Sequence, residues 1–242
     1  MTRSVVEVLA GPHALPELEL AERACVVIDV LRAGTTIAHA LAAGARGVVP
    51  VATVEDAMRR AQSLGRESTL LGGERGCRKI DGFDLGNSPA EYVPEVVRGK
   101  TIVLSTTNGA RGLAACARAR RCVAGAFVNL SATVRLLAGE PTITLVCAGS
   151  GAHFSQEDFV CAGMLAERLE AGGARLDDGA RAARDVARGA AGDLAAFLAG
   201  TDHGRRLEEA GFGSDLPLAA DVDRFDFVPV LTDGVLGVVR PE

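Results

Sequence analysis

The chain has 242 residues, of which 48% are hydrophobic and only 4% aromatic, so Ala, Val and Leu must fill a sizeable buried core. Such a core is typical of parallel strands covered by helices. The net charge of −5 and the lack of a long Lys/Arg run argue against nucleic acid or an anionic membrane surface as a partner. No apolar stretch approaches the roughly 18 uncharged residues that a membrane-spanning helix needs, so no membrane partner is expected.

The cysteines indicate the compartment. Six are present, and no two of them form a C-x-x-C pair. Because no secretion signal is evident and several cysteines lie inside apolar runs, we expect reduced, buried thiols in a cytoplasmic protein.

The oligomeric state is expected from general frequencies alone. Symmetric homodimers are the commonest oligomers of soluble proteins, so we expect a homodimer.

Short β-branched runs alternate with Ala/Leu-rich helical stretches along the first 160 residues. This alternation predicts parallel strands joined by right-handed crossovers. The predicted strands cover 24–30, 47–51, 68–72, 101–105, 121–126 and 142–147. The predicted helices cover 35–43 and begin near Thr53, Ser88 and Ser155, where Thr53 and Ser88 are each followed three residues later by an acidic residue, as in a capping box.

The remaining third of the chain is mostly helical. Residues 156–211 read as three or four helices divided by glycines, and residues 222–239 as one or two closing strands. The sequence therefore predicts an α/β fold with a mostly parallel sheet, helices on both faces, and a helical segment and closing strands at the C-terminus. We expect a single domain over 1–242, with two lobes near 1–95 and 96–242 as the alternative.

Polar residues and glycines concentrate in four loops that follow predicted strands. These loops cover 29–36, 72–88, 105–109 and 148–158. In an open parallel sheet, ligands bind beyond the carboxyl ends of the strands, where helix N-termini point their free N–H groups. We therefore expect the four loops to converge at one edge of the sheet.

The residue types in these loops suit an oxyanion bound together with a metal ion. Hydroxyl and N–H donors are supplied by Thr106, Thr107, Asn108, Gly109, Gly149 and Ser150. Arg32 and Arg75 can clamp the same anion. The hard oxygen ligands that suit Mg²⁺ are Asp29, Glu74, Asp84 and Asp158. Since carboxylates beside a phosphate repel it unless a cation intervenes, the combination predicts a bound metal.

Each of these features also has a purely structural interpretation. Asp29 can cap a helix, the Thr-Thr-Asn-Gly segment can be a simple turn, and Arg32 and Arg75 can form ion pairs with Asp29 and Glu74. The histidines lack the spacing of a metal motif, so we expect surface or capping roles for them. The histidines are His13, His39, His153 and His203.

Motifs that the sequence lacks exclude several catalytic mechanisms. No cysteine has an arginine six positions later, and no P-loop or dinucleotide-binding glycine pattern occurs. Leu31 stands where a phosphatase of the haloacid dehalogenase type would usually place a second aspartate. Metal-assisted attack by water on a phosphate ester remains.

The same loops resemble the 2-phosphosulfolactate phosphatase (ComB) family. The matching segments cover 27–36, 70–92, 106–113 and 148–163, in the order and spacing of that family. The resemblance implies Mg²⁺-dependent hydrolysis of 2-phospho-3-sulfolactate to 3-sulfolactate and phosphate, a step of coenzyme M biosynthesis. The substrate is a small anionic phosphate ester.

The resemblance also implies which residues form the site. Asp29, Arg32, Glu74 and Asp158 are expected to be catalytic, with Asp29, Glu74 and Asp158 as metal ligands or water activators. The expected substrate-binding residues are Arg75, Asp84, Asn87, Ser88, Thr106, Thr107, Asn108, Gly109 and Gly149. Two alternatives remain open: a non-catalytic protein that binds a phosphorylated or sulfonated acid, and a lyase or isomerase of such acids.

Overall fold

The structure is a computed structural model that describes residues 3–11, 20–151, 153–190 and 192–242. The strands within these ranges are β1 (Val5–Leu9), β2 (Ala24–Ile28), β3 (Gly47–Val51), β4 (Thr69–Arg75), β5 (Arg78–Lys79), β6 (Thr101–Ser105), β7 (Arg121–Gly125), β8 (Thr142–Cys147), β9 (Arg175–Leu176), β10 (Val228–Thr232) and β11 (Val235–Val239). The helices are α1 (Ala33–Ala42), α2 (Val54–Leu64), α3 (Pro94–Val97), α4 (Gly109–Ala115), α5 (Leu130–Leu136), α6 (Gln156–Ala171), α7 (Asp178–Ala190), α8 (Leu194–Gly200), α9 (Asp202–Glu209) and α10 (Asp215–Ala220).

The predicted α/β fold is confirmed, including the C-terminal helices and the closing strands. All six predicted strands of the first 160 residues are present, whereas β1 and the two-residue β9 were not predicted. No helix in the described ranges is long and apolar enough to span a membrane. All six cysteines lie in these ranges as free thiols, five of them buried. His13 lies outside the described residues.

Two predicted elements differ from the structure. The loop expected from residue 73 onward begins as a hairpin, because Gly76 and Cys77 both have positive φ (58° and 65°) and so turn β4 back into β5. The helix expected at Ser88 has its capping box but forms only one 3₁₀ turn, Pro89–Glu91. Pro94 ends it early, since proline disfavours helical backbone at the residue before it.

One sheet contains all eleven strands, in the order β5-β4-β6-β3-β11-β10-β7-β2-β8-β1-β9. Strands β4, β6 and β3 form one parallel block, and β7, β2, β8, β1 and β9 form another. The hairpin of β10 and β11 separates the blocks and is antiparallel to both neighbours. The two blocks therefore run in opposite directions, which corrects the expectation of a single parallel edge.

Strand β6 lies between β3 and β4, so strands from the two sides of residue 95 are hydrogen-bonded neighbours.

The loops still converge, although the blocks run in opposite directions, and two helices pack against both blocks. Helix α4 contacts β2 and β3, and α1 contacts β3 and β7, so both helices touch both blocks. Their apolar side chains share one core with residues of either block, such as Val27 in β2 and Ile102 in β6. Helix α2 covers the outer face of the first block, and α6 and α7 cover that of the second. Residues at or just after the carboxyl ends of β2, β4, β6 and β8 line one cavity.

Candidate active site

A cavity of about 340 Å³ opens where the four loops meet. Its wall contains seven of the thirteen predicted site residues, which are Asp29, Arg32, Glu74, Asn87, Thr106, Thr107 and Asn108. The loops of the two blocks are joined directly, since Asn108 Oδ1 accepts a hydrogen bond from the backbone N–H of Gly151 at 2.9 Å. The prediction that these loops converge is therefore correct, although the sheet is not a single parallel edge.

Asp29 is the carboxylate that faces this cavity. It follows β2 directly, and its Oδ1 accepts the backbone N–H of Ala33 at the start of α1 at 3.0 Å. Its Oδ2 receives no hydrogen bond from the described residues. Burial, with smaller contributions from the charges of Glu74 and Glu157, raises the pKa of Asp29 to about 6, although the charge of His203 opposes this. One oxygen is thus fixed and the other is free to bind a ligand.

Glu74 lines the cavity, and both of its oxygens accept hydrogen bonds from the protein. Its Oε1 accepts hydrogen bonds from the backbone N–H and the hydroxyl of Thr107, at 3.1 and 3.0 Å. Its Oε2 accepts the backbone N–H of Cys77 at 3.0 Å. Glu74 therefore ties the β4–β5 turn to the loop after β6.

Asp158 has a similar positioning role. Its Oδ1 accepts the N–H of Val30 at 2.9 Å, and its Oδ2 accepts that of Gly149 at 3.1 Å. The side chain is buried outside the cavity wall, and burial together with the charges of Asp29 and Glu157 holds its pKa well above the usual range. Asp158 thus joins the loops after β2 and β8.

These contacts bear on the predicted metal site. Among the described residues, no three His, Cys, Asp or Glu side chains are grouped so as to hold a metal ion. Both oxygens of Glu74 and of Asp158 accept protein hydrogen bonds and Asp158 lies outside the cavity wall, so the predicted set of three does not form a cage among the described residues. Mg²⁺, however, usually takes only one or two carboxylates and completes its shell with water and phosphate. Asp29 Oδ2 fits such a site, and so does Asn87 Oδ1, which is buried with no partner in the described ranges.

The two predicted anion clamps differ in position. Arg32 lines the cavity, but its Nη1 donates to Asp215 Oδ2 at 2.8 Å and its guanidinium lies 4.4 Å from the ring centroid of Phe212. Arg75 lies outside the cavity wall and donates to Ser105, to the carbonyl oxygen at 3.1 Å and to Oγ at 3.0 Å. Arg32 therefore pairs with Asp215 rather than with Asp29, and Arg75 joins strand ends.

Four more predicted residues lie outside the cavity wall. Asp84 forms an ion pair with Arg66 at 3.0 Å and accepts the N–H of Leu71. Ser88 donates to Asp215 Oδ1 at 2.6 Å, so it supports the Arg32 pair. Gly149 contributes its N–H to Asp158, and Gly109 allows the close approach of Asp29 described below.

Sequence reasoning did not assign the residues that α9 brings to the cavity. His203 and Arg206 line it, together with Ser150 and His153. His203 Nδ1 lies 3.3 Å from Glu157 Oε1. Burial lowers the pKa of His203, but contact with Cys77 and the charges of Glu157 and Asp29 outweigh it and raise the pKa to about 9. One sequence feature could have indicated His203. Thr201 is a residue type that caps helices, and its side chain caps α9, so that His203 lies in the first turn of this helix.

Gly109 is needed because Asp29 lies against it. A Cβ at this position would lie 2.6 Å from Asp29 Oδ2 and 2.7 Å from the Cβ of Ala33. We expect Gly109→Ala to displace Asp29 and lower kcat by about 100-fold, the usual effect of a displacement of about 1 Å. The measurement is steady-state phosphate release. Gly189→Ala in α7, where an added Cβ meets nothing within 4 Å, is the matched control, and equal kcat for both variants would contradict the prediction.

Comparison with known proteins tests the expected family and the expected activity. The sequence profile of the 2-phosphosulpholactate phosphatase family matches residues 10–234. A probable 2-phosphosulfolactate phosphatase of Thermotoga petrophila is 44% identical over 231 residues, which is 96% of this chain and 97% of the relative. A protein of the same name from Caldanaerobacter subterraneus subsp. tengcongensis is 40% identical over 226 residues, or 93% and 94% of the two chains.

A third relative of that name, from Clostridium perfringens, is 36% identical over 240 residues, which is 97% of this chain and 96% of the relative. The match extends over nearly the whole chain in each case. The expectation of an enzyme that acts on a phosphate monoester is thereby confirmed. The family resemblance seen in the loops is also correct, and the chain belongs to the 2-phosphosulpholactate phosphatase family.

Proposed function

We propose that this chain is a Mg²⁺-dependent phosphatase that hydrolyses 2-phospho-3-sulfolactate to 3-sulfolactate and phosphate, as in coenzyme M biosynthesis. The observation that carries the proposal is Asp29 Oδ2, which accepts no hydrogen bond from the described residues, in a cavity that also contains His203 and Arg206. The names of the relatives supply the substrate.

The cavity suits a small ester that carries several negative charges. Positive charge beside the phosphate comes from His203, whose pKa of about 9 keeps it protonated at neutral pH. Arg206 lines the same cavity and supplies positive charge for the other acid groups of the substrate. The hydroxyl-bearing residues Thr106 and Ser150 lie in the same wall, whereas the hydroxyl of Thr107 donates to Glu74. A phosphate beside a cation and hydrogen-bond donors is stabilised as negative charge redistributes in the transition state.

Mg²⁺ would be held by Asp29 and Asn87, and it would neutralise charge on the phosphate and lower the pKa of the attacking water. The chain's own contribution to proton transfer is His203. As water bonds to phosphorus and the bond between phosphorus and the ester oxygen breaks, His203 donates its proton to that oxygen. The proton released by the water stays on the phosphate product, and the neutral imidazole regains a proton from solvent, so His203 acts as a general acid. Glu157 holds the imidazole in position during the transfer.

The test is a phosphate-release assay on 2-phospho-3-sulfolactate. We expect release with Mg²⁺, its loss in EDTA, and its recovery when Mg²⁺ is restored. Full turnover in EDTA would contradict the metal dependence. Binding of the substrate without turnover would favour the non-catalytic alternative, and consumption without inorganic phosphate would favour a lyase or isomerase.

Two further proposals concern the protein in the cell. We expect it in the cytoplasm, where its free thiols stay reduced, and as a homodimer. Fractionation of cells and sedimentation of the purified chain test these two expectations separately.

A further inference from the structure

Arg206 differs from the other cations of the active-site cavity in having no acidic partner among the described residues. Arg32 is paired with Asp215 at 2.8 Å, and His203 lies 3.3 Å from Glu157. Within the described residues, Arg206 makes no carboxylate contact. The positive charge of its guanidinium is therefore not neutralised by the protein.

The hydrogen bonds of Arg206 hold it in place without removing that charge. Its Nη2 donates to the hydroxyl of Ser150 at 2.6 Å, and its Nε donates to the backbone carbonyl of Asp202 at 3.3 Å. Both acceptors are neutral. The guanidinium thus extends from α9 to the loop after β8 and keeps N–H groups available for an anion in the cavity.

The neighbouring residue on the same helix shows what a neutralised arginine looks like here. Arg205 forms an ion pair with the carboxylate of Asp202 and also donates to the carbonyl of Gly200. It does not line the 340 Å³ cavity. The two adjacent arginines of α9 therefore differ in the one respect that matters for binding a substrate anion.

We propose that Arg206, positioned by Ser150, binds a second anionic group of the substrate, an oxyanion on a carbon beside the phosphate ester. This inference rests on the proposed function and adds the residue that sets its specificity. A guanidinium matches the geometry of a carboxylate or sulfonate through two parallel N–H groups. The enzyme consequently selects phosphorylated acids over phosphate esters that carry no second charge.

The test compares three esters with the same carbon skeleton. They are 2-phospho-3-sulfolactate, 2-phospholactate without the sulfonate, and isopropyl phosphate without either acid group. For 2-phospho-3-sulfolactate we expect Arg206→Ala to raise KM by about 10- to 100-fold, the usual worth of a charge-assisted contact, with kcat within about threefold. For isopropyl phosphate, KM should be the same in the variant and in the wild type.

The substrate without the sulfonate identifies the group that is bound. A KM increase retained on 2-phospholactate assigns Arg206 to the carboxylate, and one that disappears assigns it to the sulfonate; either supports the inference. An equal increase on isopropyl phosphate would overturn it. Arg205→Ala removes the same charge from the same helix and should leave KM unchanged on all three esters. The KM of Arg206→Lys for 2-phospho-3-sulfolactate should lie between that of Arg206→Ala and that of the wild type.

A binding measurement separates this inference from the proposed function. Calorimetric titration with 3-sulfolactate requires no turnover. Arg206→Ala should raise the Kd of 3-sulfolactate by the same factor of about 10 to 100. An unchanged Kd would overturn the inference even in an enzyme that hydrolyses the phosphorylated compound. Failure of the wild type to release phosphate, with the expected loss of 3-sulfolactate affinity in the variant, would reject only the proposed function.

Discussion

We expect Asp29→Asn to lower the rate of phosphate release by at least about 1,000-fold and yet to stabilise the folded protein at neutral pH. The loss of activity, which corresponds to about 4 kcal/mol of transition-state stabilisation, follows from the free Oδ2. Asparagine keeps the acceptor for the Ala33 N–H but presents no negative oxygen to a metal ion or to water. Turnover within tenfold of wild type would remove Asp29 from the chemistry.

The gain in stability follows from the raised pKa of Asp29. Its pKa is about 6 in the fold against 3.8 in the unfolded chain, so the folded state disfavours the ionised carboxylate. The resulting cost is absent below about pH 4, grows as the pH rises through 6, and is complete at neutral pH. It amounts to about 3 kcal/mol, so Asp29→Asn should unfold at a higher temperature than the wild type at pH 7.5, and at the same temperature near pH 4.

The measurement is thermal unfolding of both proteins in EDTA, so that no bound metal alters the ionisation. Asp158→Asn is the informative comparison. Both Asp158 oxygens accept backbone N–H groups, and an asparagine offers only one such acceptor. We expect this variant to lose activity and to have a lower Tm. A stability difference between Asp29→Asn and wild type that did not depend on pH would contradict the ionisation argument.

We expect Asp215→Ala to destabilise the protein by about 3–5 kcal/mol, the usual cost of leaving a buried charge without its partner. Arg32 and Asp215 are only 3% and 1% exposed as side chains, so water cannot replace the lost carboxylate. The variant also removes the acceptor of the Ser88 hydroxyl. Because Arg32 precedes α1 and lines the cavity, activity should fall with stability. Chemical denaturation and phosphate release measure the two effects.

Two controls separate the buried pair from ordinary surface charge. Asp221→Ala breaks the Arg224–Asp221 pair, whose side chains are 46% and 47% exposed, and should cost under about 1 kcal/mol. Replacing both partners, as Arg32→Met with Asp215→Leu, should restore much of the stability lost in Asp215→Ala, since no unpaired buried charge remains. A double variant as unstable as Asp215→Ala would mean that the charge pair is not the cause.

Residues close to a strand end were placed well by sequence reasoning, because chain neighbours move together. Asp29, Thr106, Thr107 and Asn108 follow β2 and β6 directly, and all four line the cavity. Once the strands were predicted, the backbone positions of these residues followed, and short side chains at those positions can reach only the space beyond the strand ends. Arg75 was misjudged because a long side chain at a strand end can turn either way, and here it donates to Ser105 of the adjacent strand.

The contribution of α9 and α10 could not be predicted in the same way. Asp215 lies 183 residues from Arg32 along the chain, and His203 lies 46 residues from Glu157. No sequence pattern near any of these residues indicates which residue is its partner. Their pairing depends on how the C-terminal helices pack against the rest of the chain, through a core that Leu198, Leu207 and Leu216 share with the second strand block.

The sequence by itself determined the alternation of strands and helices, the four loops that carry the chemistry, and the family. These properties depend on hydrophobic period, on capping and turn residues, and on motifs, all of which are local in the chain. Only the tertiary structure decided that the β10–β11 hairpin reverses one parallel block and that α1 and α4 pack against both blocks. It also decided which carboxylates bind protein N–H groups and which one, Asp29, keeps an oxygen free. Those outcomes depend on contacts between segments distant in sequence, where burial and pairing compete and no single segment contains the answer.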